Sequence, residues 1–320
     1  MSRFIVTGAA GFIGSHLSDR LLADGHAVLG LDSFTDFYGR ALKDSNVRTA
    51  AALGSYDLAE RDVLSLVDDD LDAVDGIFHL AAQAGVRGSW GDGFHRYLQD
   101  NVRATQHLFE IAARKRVRVV FASSSSVYGN AEFHPTPESA RPRPVSPYGV
   151  TKLACESLAE AYVDQFDLDV VRLRYFTVYG PRQRPDMAFT RIARALQAGS
   201  AFTLFGDGTQ TRDVTFVDDA VSATVRAMEA GRCGSVYNVG GGRMASLLDV
   251  IALFEDAAGR NLALAYSDVA SGDVRHTGAD TALAAAELSW FPASSIEAGI
   301  ARQWSWAEET TRTALPEPPR

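Results

Sequence analysis

The chain has 320 residues, 46% of them hydrophobic and 22% charged, with a formal net charge of −9 and a pI near 5.3. That length suffices for one large two-lobed domain, or two domains, around a well-buried core. The acidic balance argues against a nucleic-acid or membrane-surface partner, whose mark is a basic patch, while a few local arginines can still capture an anionic substrate.

The first element is a strand, Phe4–Val6, within Arg3-Phe4-Ile5-Val6-Thr7. No basic stretch leading into an apolar run precedes it, so no signal peptide is expected. No run approaches the ~18 apolar residues of a membrane helix. Cys155 and Cys233 cannot make a disulfide framework and read as free thiols in a reducing compartment. A soluble, cytoplasmic protein is the expectation.

Ile13, Leu17 and Leu21 recur every fourth residue as a helical stripe that Gly25 ends. Strands follow at Ala27–Leu31 and Gly76–Leu80, then a long helix near Tyr97–Lys115, a strand at Val117–Ala122, a helix starting near Tyr148 and a buried strand at Asp169–Leu173. Such alternation predicts an α/β fold with a parallel sheet covered by helices on both faces. A loop rich in Ser, Pro and Arg, Ala131–Pro147, is expected to cross the cleft. After Tyr175 the pattern loosens: strands at Phe202–Phe205, Val214–Val217 and Val236–Val239 mix with helices at Ala188–Ala198, Asp219–Glu229 and Leu247–Ala258. This predicts a smaller lobe whose segments interleave with the first. The proline-rich tail Pro316–Arg320 is expected to fray.

Three constellations carry chemistry. In Thr7-Gly8-Ala9-Ala10-Gly11-Phe12-Ile13-Gly14, glycines at the first strand-to-helix junction let the backbone turn tightly. They also let it approach a pyrophosphate and present helix N-terminal amides to it, which is dinucleotide binding. Asp32 ends the second strand, 18 residues after Gly14, where an acid bonds the adenosine ribose and repels a 2′-phosphate. That favours NAD over NADP; the alternative is a turn aspartate.

The second constellation is Tyr148-Gly149-Val150-Thr151-Lys152, whose i, i+4 spacing puts a phenol and an ammonium on one helix face. A nearby cation lowers the tyrosine pKa, so the phenolate can take a proton from a substrate hydroxyl. The third is Ser123-Ser124-Ser125-Ser126 before Val127-Tyr128-Gly129, at a strand's carboxyl end where ligands of such sheets bind. These hydroxyls read as donors to a substrate oxygen, or else as turn formers.

Together with His79-Leu80-Ala81-Ala82 and Asn101, these residues resemble the extended short-chain dehydrogenase/reductases, and more narrowly the nucleotide-sugar epimerases and dehydratases. The resemblance covers almost the whole chain, including Arg174–Arg182 and Gln210–Asp219. It implies a Rossmann-type doubly wound sheet over residues 1–175, with a returning segment near 214–243. Residues 176–213 and 244–320 are then a nucleotide-sugar lobe. Tyr148 is implied as base and acid, Lys152 on the nicotinamide ribose and tuning Tyr148, and Ser124, with Ser125 beside it, at the reacting oxygen. NAD is implied to lie against Gly8, Gly11, Phe12, Ile13, Gly14, Asp32, Lys43, Asp62, Val63, Leu80, Ala81, Ala82, Tyr175 and Val178, with Asn101 in support. The sugar nucleotide is implied to meet Arg87, Ser124, Ser125, Ser126, Tyr148, Thr177, Arg184, Ala188, Phe189, Phe205, Arg212 and Arg275. The resemblance implies no metal, and a homodimer through the helix after Tyr148.

Within the family the chemistry discriminates. Dehydratases resemble one another in an Asp-Glu pair just before Val-Tyr-Gly, and decarboxylases in a glutamate at the second position; here Ser125-Ser126 stand there. Simple epimerisation is therefore expected. Thr177 replaces the usual asparagine and Arg184 follows in the same loop. With Asp32–Lys43, this pair resembles the UDP-glucuronate 4-epimerases. A shorter Thr177 leaves room and a hydroxyl for a C6 carboxylate, and Arg184 supplies charge, although a surface arginine in a long loop reads the same way. Arg87, in Gly85–Ser89, is equally readable as a solvated arginine. Ala270 stands two residues before Gly272-Asp273, where the family often has an arginine for the diphosphate; Arg275 is the nearby substitute. The expected activity is interconversion of UDP-glucuronate and UDP-galacturonate through a 4-keto intermediate. A UDP-glucose 4-epimerase, a UDP-glucuronate decarboxylase and a catalytically silent NAD-sensing scaffold stand as alternatives.

Overall fold

A computed structural model describes residues 1–268 and 274–314, with side chains through residue 311. Ala270, Gly272-Asp273 and the tail Pro316–Arg320 lie outside the described residues. Among the described residues twelve strands occur in chain order: β1 Arg3–Thr7, β2 Ala27–Asp32, β3 Tyr56–Glu60, β4 Gly76–His79, β5 Val119–Ser124 and β6 Val170–Tyr175, then β7 Thr177–Tyr179, β8 Phe202–Phe205, β9 Thr211–Phe216, β10 Val236–Val239, β11 Met244–Ser246 and β12 Leu264–Ser267. Seven of them form a parallel sheet in the order β10-β6-β5-β4-β1-β2-β3. Central strands of a sheet covered on both faces must be apolar on both, and Ile5, Val6, Ile77, Phe78, Val119, Val120, Val170 and Val171 are all buried.

Strand order reverses at β1, which has β2 on one side and β4 on the other. The loops leaving β1 and β4 therefore run apart and open a crevice beyond the strand ends. That crevice holds the site. The helices that frame it are α1 Phe12–Ala23, α2 Arg40–Asn46, α3 Ala104–Lys115 and α4 Pro147–Phe166. A three-stranded sheet β11-β9-β7 and a two-stranded pair β12-β8 build the smaller region, with α5 Ala188–Ala198 and α7 Leu247–Ala258, whereas α6 Val217–Ala230 packs on α1 and against β5 and β6 of the large sheet. Of the 214–243 stretch, β10 enters the large sheet, whereas β9 pairs in the three-stranded one.

The pattern-based elements hold with shifts that have physical reasons. The helix expected from Tyr97 runs on to Lys115 with a π-type stretch at Leu98–Arg103 leading into α3, a distortion that recurs at functional sites. The strand expected at Val117–Ala122 runs Val119–Ser124 and carries two of the serines into the sheet. β3 has no sequence signal because it is the edge strand, largely exposed, and its Asp57 and Glu60 break any apolar run. Among the described residues no helix is long and apolar enough to cross a membrane.

Candidate active site

The glycine loop is built for close approach. Gly8 has φ +70°, and a Cβ there would sit 2.9 Å from the Ala81 amide nitrogen. A Cβ at Gly14 would collide with the Gly8 carbonyl, so α1 could not pack against the turn. The N-cap of α1, Gly11, offers no side-chain hydrogen bond, leaving first-turn N–H groups for a phosphate oxygen. At the end of β2, Asp32 accepts from the amides of Ala10 (3.1 Å) and Phe34 (2.8 Å) and from Lys43 Nζ (2.9 Å). The carboxylate is thus pinned with Lys43 in a buried ion pair. This donor and acceptor set fits a dinucleotide with a free ribose diol.

A cleft of about 430 Å³ runs from this loop to the start of α4. Gly8, Gly11, Phe12, Ile13 and Gly14 line it from the first turn, Asp32 and Lys43 from β2 and α2, and Asp62 and Val63 from the β3 end. Leu80, Ala81 and Ala82 line it from the β4 end, and Tyr175 and Val178 from β6 and β7. Asn101 does not reach the lining. Its side chain clamps Gln83, accepting from its amide at 2.7 Å and donating to its carbonyl at 3.1 Å, and donates to Thr151 Oγ1 at 3.0 Å. The π turn thereby ties the loop after β4 to α4.

α4 starts cleanly because Ser146 caps it, accepting from Gly149 N at 3.1 Å, with Pro147 in the first turn. Its first turn brings Tyr148 and Lys152 into the cleft opposite Ser124, Ser125 and Ser126. Burial pushes the Tyr148 phenol above its ordinary range, and the hydrogen bond with Ser124 and the charge of Arg184 draw it back. Lys152 was the expected tuning cation. Its Nζ is instead committed to the Ala122 carbonyl at 2.7 Å, and burial pulls its pKa down to about 8. The charge of Arg184 also acts on the phenol.

Thr177, the first residue of β7, and Arg184 both line the cleft. Arg184 Nε and Nη2 each donate to a carboxylate oxygen of Asp186 at 3.0 Å. Burial opposes the Arg184 charge, but Asp186 outweighs it and holds the guanidinium above its ordinary value. The other expected substrate residues are not in the lining. Phe189 is a core residue, 5.1 Å from the Tyr179 ring and 5.9 Å from that of Phe254, with Ala188 half-buried beside it. Arg87 stacks 4.3 Å above the Phe205 ring. Arg212 Nη1 donates to the carbonyls of Thr211 (2.9 Å) and Arg275 (3.2 Å).

Residues not singled out from sequence complete the wall: Phe37, Tyr38, Gln83, Phe176 and Met187. Phe37 and Tyr38 sit in the loop whose sequence carried the resemblance, so a signal existed; Gln83 had none. Behind them Tyr97 donates to the carbonyls of Ala84 (3.1 Å) and Gly85 (2.8 Å), and its ring meets that of Tyr148 edge-on at 6.2 Å.

This geometry agrees with comparison to known proteins. Residues 4–240 match the model of the NAD dependent epimerase/dehydratase family. An uncharacterized UDP-glucose epimerase, YtcB, of Bacillus subtilis strain 168 is 41% identical over 305 residues, covering 94% of this chain and 96% of the relative. A UDP-glucuronate 4-epimerase of Thermodesulfobacterium geofontis is 34% identical, with 97% of each chain covered. The crystal structure of a UDP-glucuronic acid 4-epimerase from Bacillus cereus, in complex with UDP-glucuronic acid and NAD, superposes with a TM-score of 0.93. It is 38% identical, with 96% of this chain and 99% of that one covered. The chain belongs to the NAD-dependent epimerase/dehydratase family. It is an NAD-dependent enzyme of that family, with the Rossmann-type α/β fold.

Proposed function

We propose that the enzyme is a UDP-glucuronate 4-epimerase that interconverts UDP-glucuronate and UDP-galacturonate. Both relatives and the structural neighbour just described are named as epimerases of UDP-sugars, and the neighbour is in complex with NAD. The choice of a uronate is supported by one observation: Arg184 lines the cleft near enough to Tyr148 for its charge to act on the phenol, and Thr177 belongs to the wall of the same cleft. In this reading residues 1–175, with the return of β10, hold the cofactor, and the remaining lobe holds the nucleotide sugar.

Gly8, Gly11 and Gly14 would carry the pyrophosphate of NAD, Asp32 and Lys43 its adenosine ribose, and Lys152 its nicotinamide ribose. When bound, NAD supplies the hydride acceptor and donor for sugar C4. Tyr148 takes the O4 proton and later returns it, which is general acid–base work. Ser124, which lines the cleft with Tyr148, would donate to O4 and hold it for the phenol. The desolvated cleft strengthens each of these hydrogen bonds. No carboxylate stands at Ser125 or Ser126, so the chain has no acid or base there for eliminating water.

Arg184→Gln tests the reading. It should raise the KM for UDP-glucuronate far more than that for UDP-glucose. Equal losses on both sugars would leave Arg184 without a role in choosing the substrate. The second reading, a UDP-glucose 4-epimerase, is favoured by the YtcB relative.

A further inference from the structure

Arg184 and Asp186 are two residues apart, with Pro185 between them fixing the backbone. The guanidinium lines the cleft, whereas Asp186 is not part of the lining and its side chain is 45% exposed. The carboxylate therefore meets Arg184 from outside, side-on, using Nε and Nη2. Gly85 and Tyr97 flank the pair at ordinary contact distance. A Cβ on Gly85, which has φ +105°, would lie 3.9 Å from Asp186 Oδ2, 4.0 Å from Arg184 Nη2 and 3.8 Å from Tyr97 Oη. The guanidinium also lies 5.7 Å from the Phe37 ring centroid. The pair is held in a slot, and its net charge is zero.

We propose that Asp186 is a specificity-determining residue: it neutralises Arg184 from behind, so that the sugar end of the cleft tolerates a neutral hexose and holds an anionic one only moderately. This rests on the reading of Arg184 as the group that meets the C6 substituent. The physical reason is a three-body arrangement. A guanidinium without a counter-ion would be costly to bury and would make a uronate carboxylate its sole partner. With Asp186 in place, an incoming carboxylate is the second anion on one cation and is repelled by the first. A neutral sugar meets no such repulsion. The same arrangement favours release of a uronate product.

The test compares steady-state kinetics of the full-length enzyme, as purified with its cofactor, on UDP-glucuronate and on UDP-glucose. Asp186→Asn keeps the shape and one acceptor oxygen while removing the charge. It should lower the KM for UDP-glucuronate roughly fivefold to tenfold and move that for UDP-glucose by no more than about twofold, with kcat little changed. Asp186→Glu should restore the wild-type ratio of kcat/KM between the two sugars, and a thermal melt should find both variants folded. An unchanged or reduced ratio in Asp186→Asn would overturn the proposal, the reduced ratio meaning that Asp186 only orients Arg184. Arg184→Gln, run alongside, separates the two claims. If it penalises UDP-glucuronate selectively while Asp186→Asn leaves the ratio unmoved, only the role of Asp186 falls. If it penalises both sugars equally, the reading of Arg184 falls and takes this proposal with it.

Discussion

Glu156 on α4 and Arg174 on β6 form a salt bridge of 2.6 Å, with side chains only 3% and 6% exposed. Glu156 follows Lys152 by four residues and Tyr148 by eight, so all three project from one face of the helix. Ser123 on β5 donates to the same carboxylate. Arg174 also donates to Tyr128 Oη at 2.8 Å, and Tyr128 donates to Asn238 on β10 at 2.7 Å. The helix that carries the reacting phenol is thereby latched to three neighbouring strands of the sheet.

Removing one partner of such a pair leaves the other buried and unbalanced. Glu156→Gln should therefore destabilise the fold by about 3–5 kcal/mol. Urea unfolding followed by circular dichroism measures it. A loss below about 1 kcal/mol would mean that Arg174 finds another partner or reaches water.

Tyr148→Phe removes one hydroxyl from a buried ring and no packing volume. The fold should survive, and turnover should fall ~10²–10⁴-fold, the usual worth of a positioned acid–base group. A variant keeping more than about a third of wild-type activity would contradict the assignment of Tyr148 as base.

Much of this site was legible because its chemistry is encoded by short spacings. The glycines of the first turn fall within seven residues, Asp32 ends the next strand, and Tyr148 and Lys152 are one helical turn apart. What sequence could not tell is set by distant contacts. Asn101 has meaning only because folding brings Gln83 and Thr151 to it. Lys152 turns to the Ala122 carbonyl rather than acting as the main counter-charge of the phenol, which depends on how α4 docks on β5. Phe189 belongs to the core because Tyr179 and Phe254 surround it, a fact that α5 alone does not reveal. The edge strand β3 has too few buried positions to leave a pattern.

Two buried histidines predict acid lability. His79 lies between Thr7 Oγ1 (2.8 Å) and Thr105 Oγ1 (3.0 Å), and burial pulls its pKa down to about 3. Burial, aided by the charge of Arg182, lowers His16 to about 4. Between these values and an unfolded value near 6.5, the unfolded chain binds protons that the folded one refuses. Stability is therefore fully present above pH ~6.5 and lost as pH falls below it. Going from pH 6.5 to 5 should cost up to ~2 kcal/mol per histidine, from 1.36 kcal/mol per unit. Melting temperatures across that range, for wild type and His79→Gln, check this. A variant with the same pH slope as wild type would place the lability elsewhere.

The cofactor should accompany the protein. With a pinned Asp32, and the first-turn N–H groups of α1 without a side-chain cap, NAD is expected to copurify. Turnover should need no added reductant, because the reaction is redox-neutral overall. Strict dependence on added NADPH, with net reduction of a carbonyl substrate, would contradict the account.

The most direct measurement follows UDP-glucuronate by NMR with the enzyme as purified, together with any CO2 released. The 4-keto uronate intermediate is a β-keto acid, which loses CO2 when the breaking C5–C6 bond lies parallel to the carbonyl π orbitals. In the proposed reading Thr177 and Arg184, both in the cleft wall, would hold the carboxylate away from that alignment through charge-assisted hydrogen bonds worth about 1.5–3 kcal/mol each. The account predicts that UDP-galacturonate accumulates to an equilibrium mixture with little CO2, and that UDP-glucose is the poorer substrate. A preference for UDP-glucose, or UDP-xylose as the main product, would contradict it.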